Sequence, residues 1–81
     1  MTVFQHLEAL VVMEQEYRQK AVFDDVFRAA FELCAEFCAY HREILETNCG
    51  AFLEKEISES LAAELSHEII EPSRVEMIFG D

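Results

Sequence analysis

The chain has 81 residues, 52% of them apolar, and a formal net charge of −11 from seventeen acidic and six basic side chains. That length holds one domain and excludes a second; such a chain buries roughly 60% of its unfolded surface, so its stability depends on a rich core or on surface shared with a partner. The acidity excludes direct nucleic-acid binding, because nucleic-acid binders are basic, and disfavours anionic membranes.

The apolar fraction lies slightly above the usual range of about 45–50%, and seven Phe and two Tyr supply bulk, whereas Gly occurs twice and Pro once. Few turn residues argue against an all-β fold, which needs them every few positions, and for long helices. The predicted fold is all-α: a compact bundle of three to four helices with residues 24–47 at its centre, in one domain over 1–81. The acidic excess grows along the chain, from seven acids and three bases in residues 1–40 to ten and three in residues 41–81. Such a surface suits a basic protein partner or imitation of a polyanion, although solubility alone also accounts for it. No secretory leader is expected, since "MTVFQHLEAL" lacks a basic start and a long apolar segment. The longest apolar run, "ALVVM" at residues 9–13, falls far short of a membrane span. Three cysteines, without the spacing of a disulfide framework, fit reduced thiols in a cytoplasmic protein.

Residues 2–20 read as the first helix. Thr2-Val3-Phe4-Gln5 fits a capping box, in which a hydroxyl and an amide three residues apart satisfy free N–H groups. Val3, Phe4, Leu7, Leu10, Val11 and Tyr17 share one face. Glu14 and Arg18 fall in the same arc, so that face is expected to be exposed beyond Met13, because burying an ion pair costs desolvation. Residues 24–47 read as the second helix, capped by Asp24 or Asp25 and stopped by Asn48-Cys49-Gly50, with Gly50 left-handed. Its apolar positions nearly encircle it and leave only the stripe Asp25, Arg28, Glu32, Glu36, Glu43 and Glu46. Two neighbouring helices cover about half of such a surface, and the rest is expected to meet another chain, either a second copy or a different protein. Residues 51–70 read as helical, with Leu53, Ile57, Leu61, Leu65 and Ile69 spaced by four. That stripe drifts around a 3.6-residue helix, which argues for a break near Ser58-Glu59-Ser60 and a restart capped by Ser60. Pro72 ends the helical region. Ser73-Arg74-Val75-Glu76 again fits a capping box, Val75, Met77 and Phe79 alternate like an edge strand, and a short helical turn or ordered tail is the reading adopted for 72–81.

Three groups of residues could carry chemistry. Cys34, Cys38 and His41 fall at i, i+4 and i+7 on one helix face, and Cys49 could fold back as a fourth metal ligand. Structural zinc sites usually pair ligands on turns at closer spacing, and residues 34–41 span about 10 Å along a helix, so packing is the expected role and neither a metal nor another cofactor is expected. Cys49, beside Gly50, is expected to be an exposed, unactivated thiol. The acids Glu32, Glu36, Glu43 and Glu46, extended by Asp25, lie about 5–10 Å apart along the axis, near the separation of phosphates on one DNA strand, though solvated helix faces carry acids at such spacing routinely. No phosphate loop, nucleophile elbow or HExxH motif is present, so no enzymatic activity is expected.

The function expected from these features is protein–protein interaction. A small acidic adaptor or inhibitor would dock an apolar helix face onto a larger, basic protein, nucleic-acid-binding proteins being one such class. Phe27, Phe31, Tyr40 and Leu45 would be the anchors and Glu32, Glu36, Glu43 and Glu46 the steering charges. In composition alone the chain resembles in style the small inhibitors that phages direct against host nucleic-acid enzymes. The alternatives are a polyanion mimic and a small metal or redox module built on Cys34, Cys38 and His41.

Overall fold

The computed structural model describes residues 1–80. They form the helices α1 (Val3–Phe23), α2 (Arg28–Cys49), α3 (Glu59–Leu65) and α4 (Pro72–Phe79), with a short 3-10 turn at Gly50–Phe52 between α2 and α3. The class is all-α, as expected, and α2 packs against α1, α3, α4 and the 3-10 turn. None of the helices is long and apolar enough to cross a membrane.

α1 starts where the sequence says it should. The Thr2 hydroxyl accepts from the Gln5 N–H at 3.1 Å, and the Gln5 side chain accepts from the Thr2 N–H at 2.9 Å. The next orphan donors are met from far along the chain: Val3 N–H donates to the Lys55 carbonyl and Phe4 N–H to the Leu53 carbonyl, both at 2.9 Å. Ile57 N–H returns a bond to the Met1 carbonyl at 2.9 Å. This exchange overturns the helical reading of 51–57. Carbonyls that would have propagated a helix instead cap α1, and the segment runs as a 3-10 turn followed by an extended stretch. The restart comes two residues earlier than expected, with the Ser58 hydroxyl, not that of Ser60, accepting from Leu61 N–H.

The α1–α2 connection also differs from expectation. α1 runs to Phe23, and Asp24, proposed as a cap for the second helix, forms the turn instead: its carboxylate accepts from the N–H groups of Val26 and Phe27, both at 3.0 Å. α2 therefore begins at Arg28, whose guanidinium donates to the Ala21 carbonyl and pairs with Asp25, tying the end of α1 to the start of α2. At the other end Gly50 is right-handed (φ −59°), not left-handed, because the chain continues into the 3-10 turn. α4 starts with Pro72 in its first turn and Glu71 before it; Ser73 makes no cap, and the alternation of Val75, Met77 and Phe79 belongs to a helix rather than a strand.

The molecule measures 50 × 20 × 18 Å, an elongated helical hairpin with a broad base. The base holds the core: Val3 and Leu7 from α1, Leu45 and Cys49 from α2, Ile57 from the connecting segment, and Ala62 and Leu65 from α3. Toward the tip the buried residues shrink to Ala21, Ala35 and Cys38, which allow α1 and α2 a close approach. The expectation that α1 is open beyond Met13 is not met. Ala21 is buried, and Glu14 is sheltered beneath α2, hydrogen-bonded by Arg18 at 3.0 Å and approached by Arg42 at 4.0 Å. Its antiparallel neighbour α2 lies along α1 as far as Ala21, while Val22 and Phe23 at its end stay exposed.

Asn48 fixes α3 and its following loop to α2. Its side-chain amide donates to the carbonyls of Leu65 (2.8 Å) and Glu68 (2.9 Å), and its oxygen accepts from Ile70 N–H (2.9 Å). Asn48→Ala removes three bonds at a buried site and should destabilise the fold by about 2–4 kcal/mol. Thr2→Ala, at an exposed cap, should cost about 1 kcal/mol. Urea denaturation of both variants checks the order.

Candidate docking face

α2 presents two sides. One, marked by Ala35, Cys38 and Leu45, is buried, with Ala35 and Cys38 small enough for α1 to lie close. On another, Leu33, Phe37 and Tyr40 lie within about 60° of one another around the axis, and each is just over half exposed, at 53%, 53% and 54%. One turn further toward the base, on the same side, Ile44 is buried. The change from exposed to buried follows from length. α3 has seven residues and α4 eight, so the layer they form covers only the lower part of a 22-residue helix. Ile69 extends the exposed face across the loop after α3: Tyr40, Ile44 and Ile69 line an open groove of about 490 Å3 together with Glu43, Glu46 and Thr47.

The carboxylates follow one edge of this face. Glu32, Glu36, Glu43 and Glu46 are all exposed. Glu46 lies 4.0 Å from Arg42, whereas among the described residues Glu32, Glu36 and Glu43 have no ion-pair partner. Asp25 is apart from them, in the turn with Arg28.

Of the expected anchors, Tyr40 lies in the exposed face. Phe27 is exposed at the hairpin tip, and Phe31 is half-buried against Tyr17, with Lys20 over both rings at 5.7 and 5.9 Å. Leu45 is corrected: it is 1% exposed and belongs to the core, because it points to the side of α2 that meets α1. Leu33 and Phe37 take its place. The sequence carries no signal that separates them, because small residues occur on both sides: Ala35 and Cys38 on the packed one, Ala30 beside Leu33 and Phe37. A second exposed apolar patch, Val22, Phe23, Val26 and Phe27, surrounds the turn at the tip.

The cysteine–histidine set is dispersed by packing. Cys38 is buried and Cys34 half-buried, while the ring of His41 donates from Nδ1 to the Ser66 carbonyl at 2.7 Å, tying α2 to the end of α3. His41 also stacks on Phe37 and meets Tyr40 edge-on. Among the described residues no three His, Cys, Asp or Glu side chains are grouped to hold a metal. Cys49, expected at the surface, is fully buried in the core because the 3-10 turn and α3 fold over it. Burial pushes its thiol from an ordinary 9.0 up to about 11. Burial also raises the Cys38 thiol, with smaller contributions from Cys34 and Glu14.

No protein-family model matches the chain, and neither a curated protein nor a solved structure matches it. The face is accordingly read from its own chemistry.

The raised Cys49 pKa has a definite sign. The folded state keeps a proton that the unfolded chain releases, so the contribution is complete below about pH 9 and is lost as pH rises toward 11. Denaturant unfolding at pH 8 and pH 10.5 should show stability falling with pH. In Cys49→Ala that fall should be shallower, even though the variant is less stable at pH 8.

Proposed function

We propose that this protein is a small acidic interaction module, an adaptor or inhibitor, that docks the apolar face of α2 onto a larger, basic protein. The observation that carries the reading is the half-exposed row Leu33, Phe37 and Tyr40, with exposed carboxylates along its edge, of which Glu32, Glu36 and Glu43 have no ion-pair partner among the described residues. Isolated exposed apolar residues are ordinary, but a contiguous row with a polar border is characteristic of interaction sites. Aromatic side chains supply contact area at low entropy cost, so Phe37 and Tyr40 are the expected energetic centre. Glu32, Glu36, Glu43 and Glu46 would speed encounter with a basic surface and reject acidic ones. The proposed location is the cytoplasm, a reading supported by three cysteines that form no disulfide among the described residues, two of them buried.

A second reading makes the carboxylates the binding groups themselves, as a polyanion mimic. Its support is that Glu32, Glu36, Glu43 and Glu46 lie exposed within an arc of about 80° on one helix.

Affinity capture from cells with three baits separates the two readings. If the apolar face docks, Phe37→Asp should lose the basic partners captured by the native chain, and Glu→Gln at positions 32, 36, 43 and 46 together should weaken capture, most visibly at low salt. If the protein is a polyanion mimic, the four-fold Gln variant loses the partners, Phe37→Asp keeps them, and DNA competes. Capture unaffected by either variant contradicts both.

A further inference from the structure

Resting on the docking reading above, we infer that the occupant of the α2 face is a basic amphipathic α-helix of the partner, packed as in a coiled coil. The residues on this side of α2 are Ala30, Leu33, Phe37, Tyr40 and Ile44. Their separations are three, four, three and four, the spacing of a heptad seam, in which each apolar knob enters a hole between four residues of a facing helix. The last position, Ile44, is buried, whereas Leu33, Phe37 and Tyr40 are open and Ala30 is exposed. The seam thus continues upward from the covered base, and a helix laid on it would extend the layer begun by α3 and α4. Any apolar helix face has this alternation; what favours a helix as the occupant is that the layer packed on the lower part of α2 is itself made of the helices α3 and α4.

The flanks of the seam give the partner's charge. With Ala30, Phe37 and Ile44 as first positions of successive heptads, Glu36 and Glu43 fall at the flanking positions that set partner choice by charge. Both are exposed, and among the described residues neither has an ion-pair partner. The opposite flank carries Cys34 and His41, and His41 is already committed to the Ser66 carbonyl. A facing helix would therefore present Lys or Arg to Glu36 and Glu43. A second copy of this chain fits less well, because its own seam brings acids rather than bases and each copy has a net charge of −11.

The test uses the full chain and three synthetic 21-residue peptides. The first carries Leu at both seam positions of each heptad and Lys at both flanks. The second replaces the flanking Lys by Glu. The third permutes the first so that its Leu and Lys no longer segregate on a helix. Binding is followed by amide NMR shifts and by the gain of helical circular dichroism. The inference expects the first peptide to bind and become helical, with shifts concentrated in residues 30–44. The Glu peptide, the permuted peptide and the Phe37→Asp protein should each weaken binding by roughly tenfold or more. Equal binding of the first and permuted peptides, still lost in Phe37→Asp, overturns the helical partner while leaving the docking face in place. Binding indifferent to Phe37→Asp overturns the helix and the face together. No binding by the first peptide, or a native chain that sediments as a dimer closed over residues 30–44, also overturns the inference.

Discussion

The polar cluster at Asn48 is the constraint on which the architecture depends. A buried amide near the end of α2 bonds two carbonyls and one N–H of residues 65–70, the segment in which the chain leaves α3. Buried backbone groups must be paired, so this one side chain decides where the second layer ends. Because α3 and the following loop are held at the bottom of the hairpin, Leu45, Cys49 and Leu65 share a core, and Leu33, Phe37 and Tyr40 are left uncovered. His41, bonded to the Ser66 carbonyl, marks the upper boundary of the covered region.

The second constraint is the exchange between the start of α1 and residues 53–57. The first N–H groups of α1 need acceptors, and the segment after the 3-10 turn supplies them from Leu53 and Lys55. Residues far apart in the sequence are thereby joined at the base, where the core of Val3, Leu7, Leu45, Ile57 and Leu65 lies. Toward the tip, stability rests on close backbone approach at Ala21, Ala35 and Cys38 and on the local ties made by Asp24 and Arg28. Such a body has its core at one end and presents a long, narrow, partly apolar surface toward the other, a shape suited to lying along a partner rather than enclosing a small molecule.

What was legible in the sequence was local. The Thr2–Gln5 cap, the long apolar helix at the centre and the break near Ser58 follow from the pattern within single segments of the chain. Asp24 shows the limit of such reading: an aspartate before a helix can cap it or close a turn, and the choice depends on how far α1 continues. The misread features were set by distant contacts. Residues 51–57 gave up helical structure because their carbonyls serve α1, Cys49 is buried because α3 returns over it, and Gly50 needs no left-handed conformation because the chain does not reverse there. Of the candidate site, the carboxylates and Tyr40 were legible as exposed. Leu45 was exchanged for Leu33 and Phe37, since a helix apolar on nearly every side does not reveal which side its neighbours take.

In the isolated chain the upper part of α2 should carry an open apolar face. Hydroxyl-radical footprinting of the free protein, read residue by residue by mass spectrometry alongside its solution mass, tests this most directly. A monomer is expected in which Phe37, Tyr40 and Leu33 are oxidised readily while Leu45 and Leu65 are spared. Protection of Phe37 and Tyr40 to the level of Leu45, in a monomer or a dimer, would contradict it.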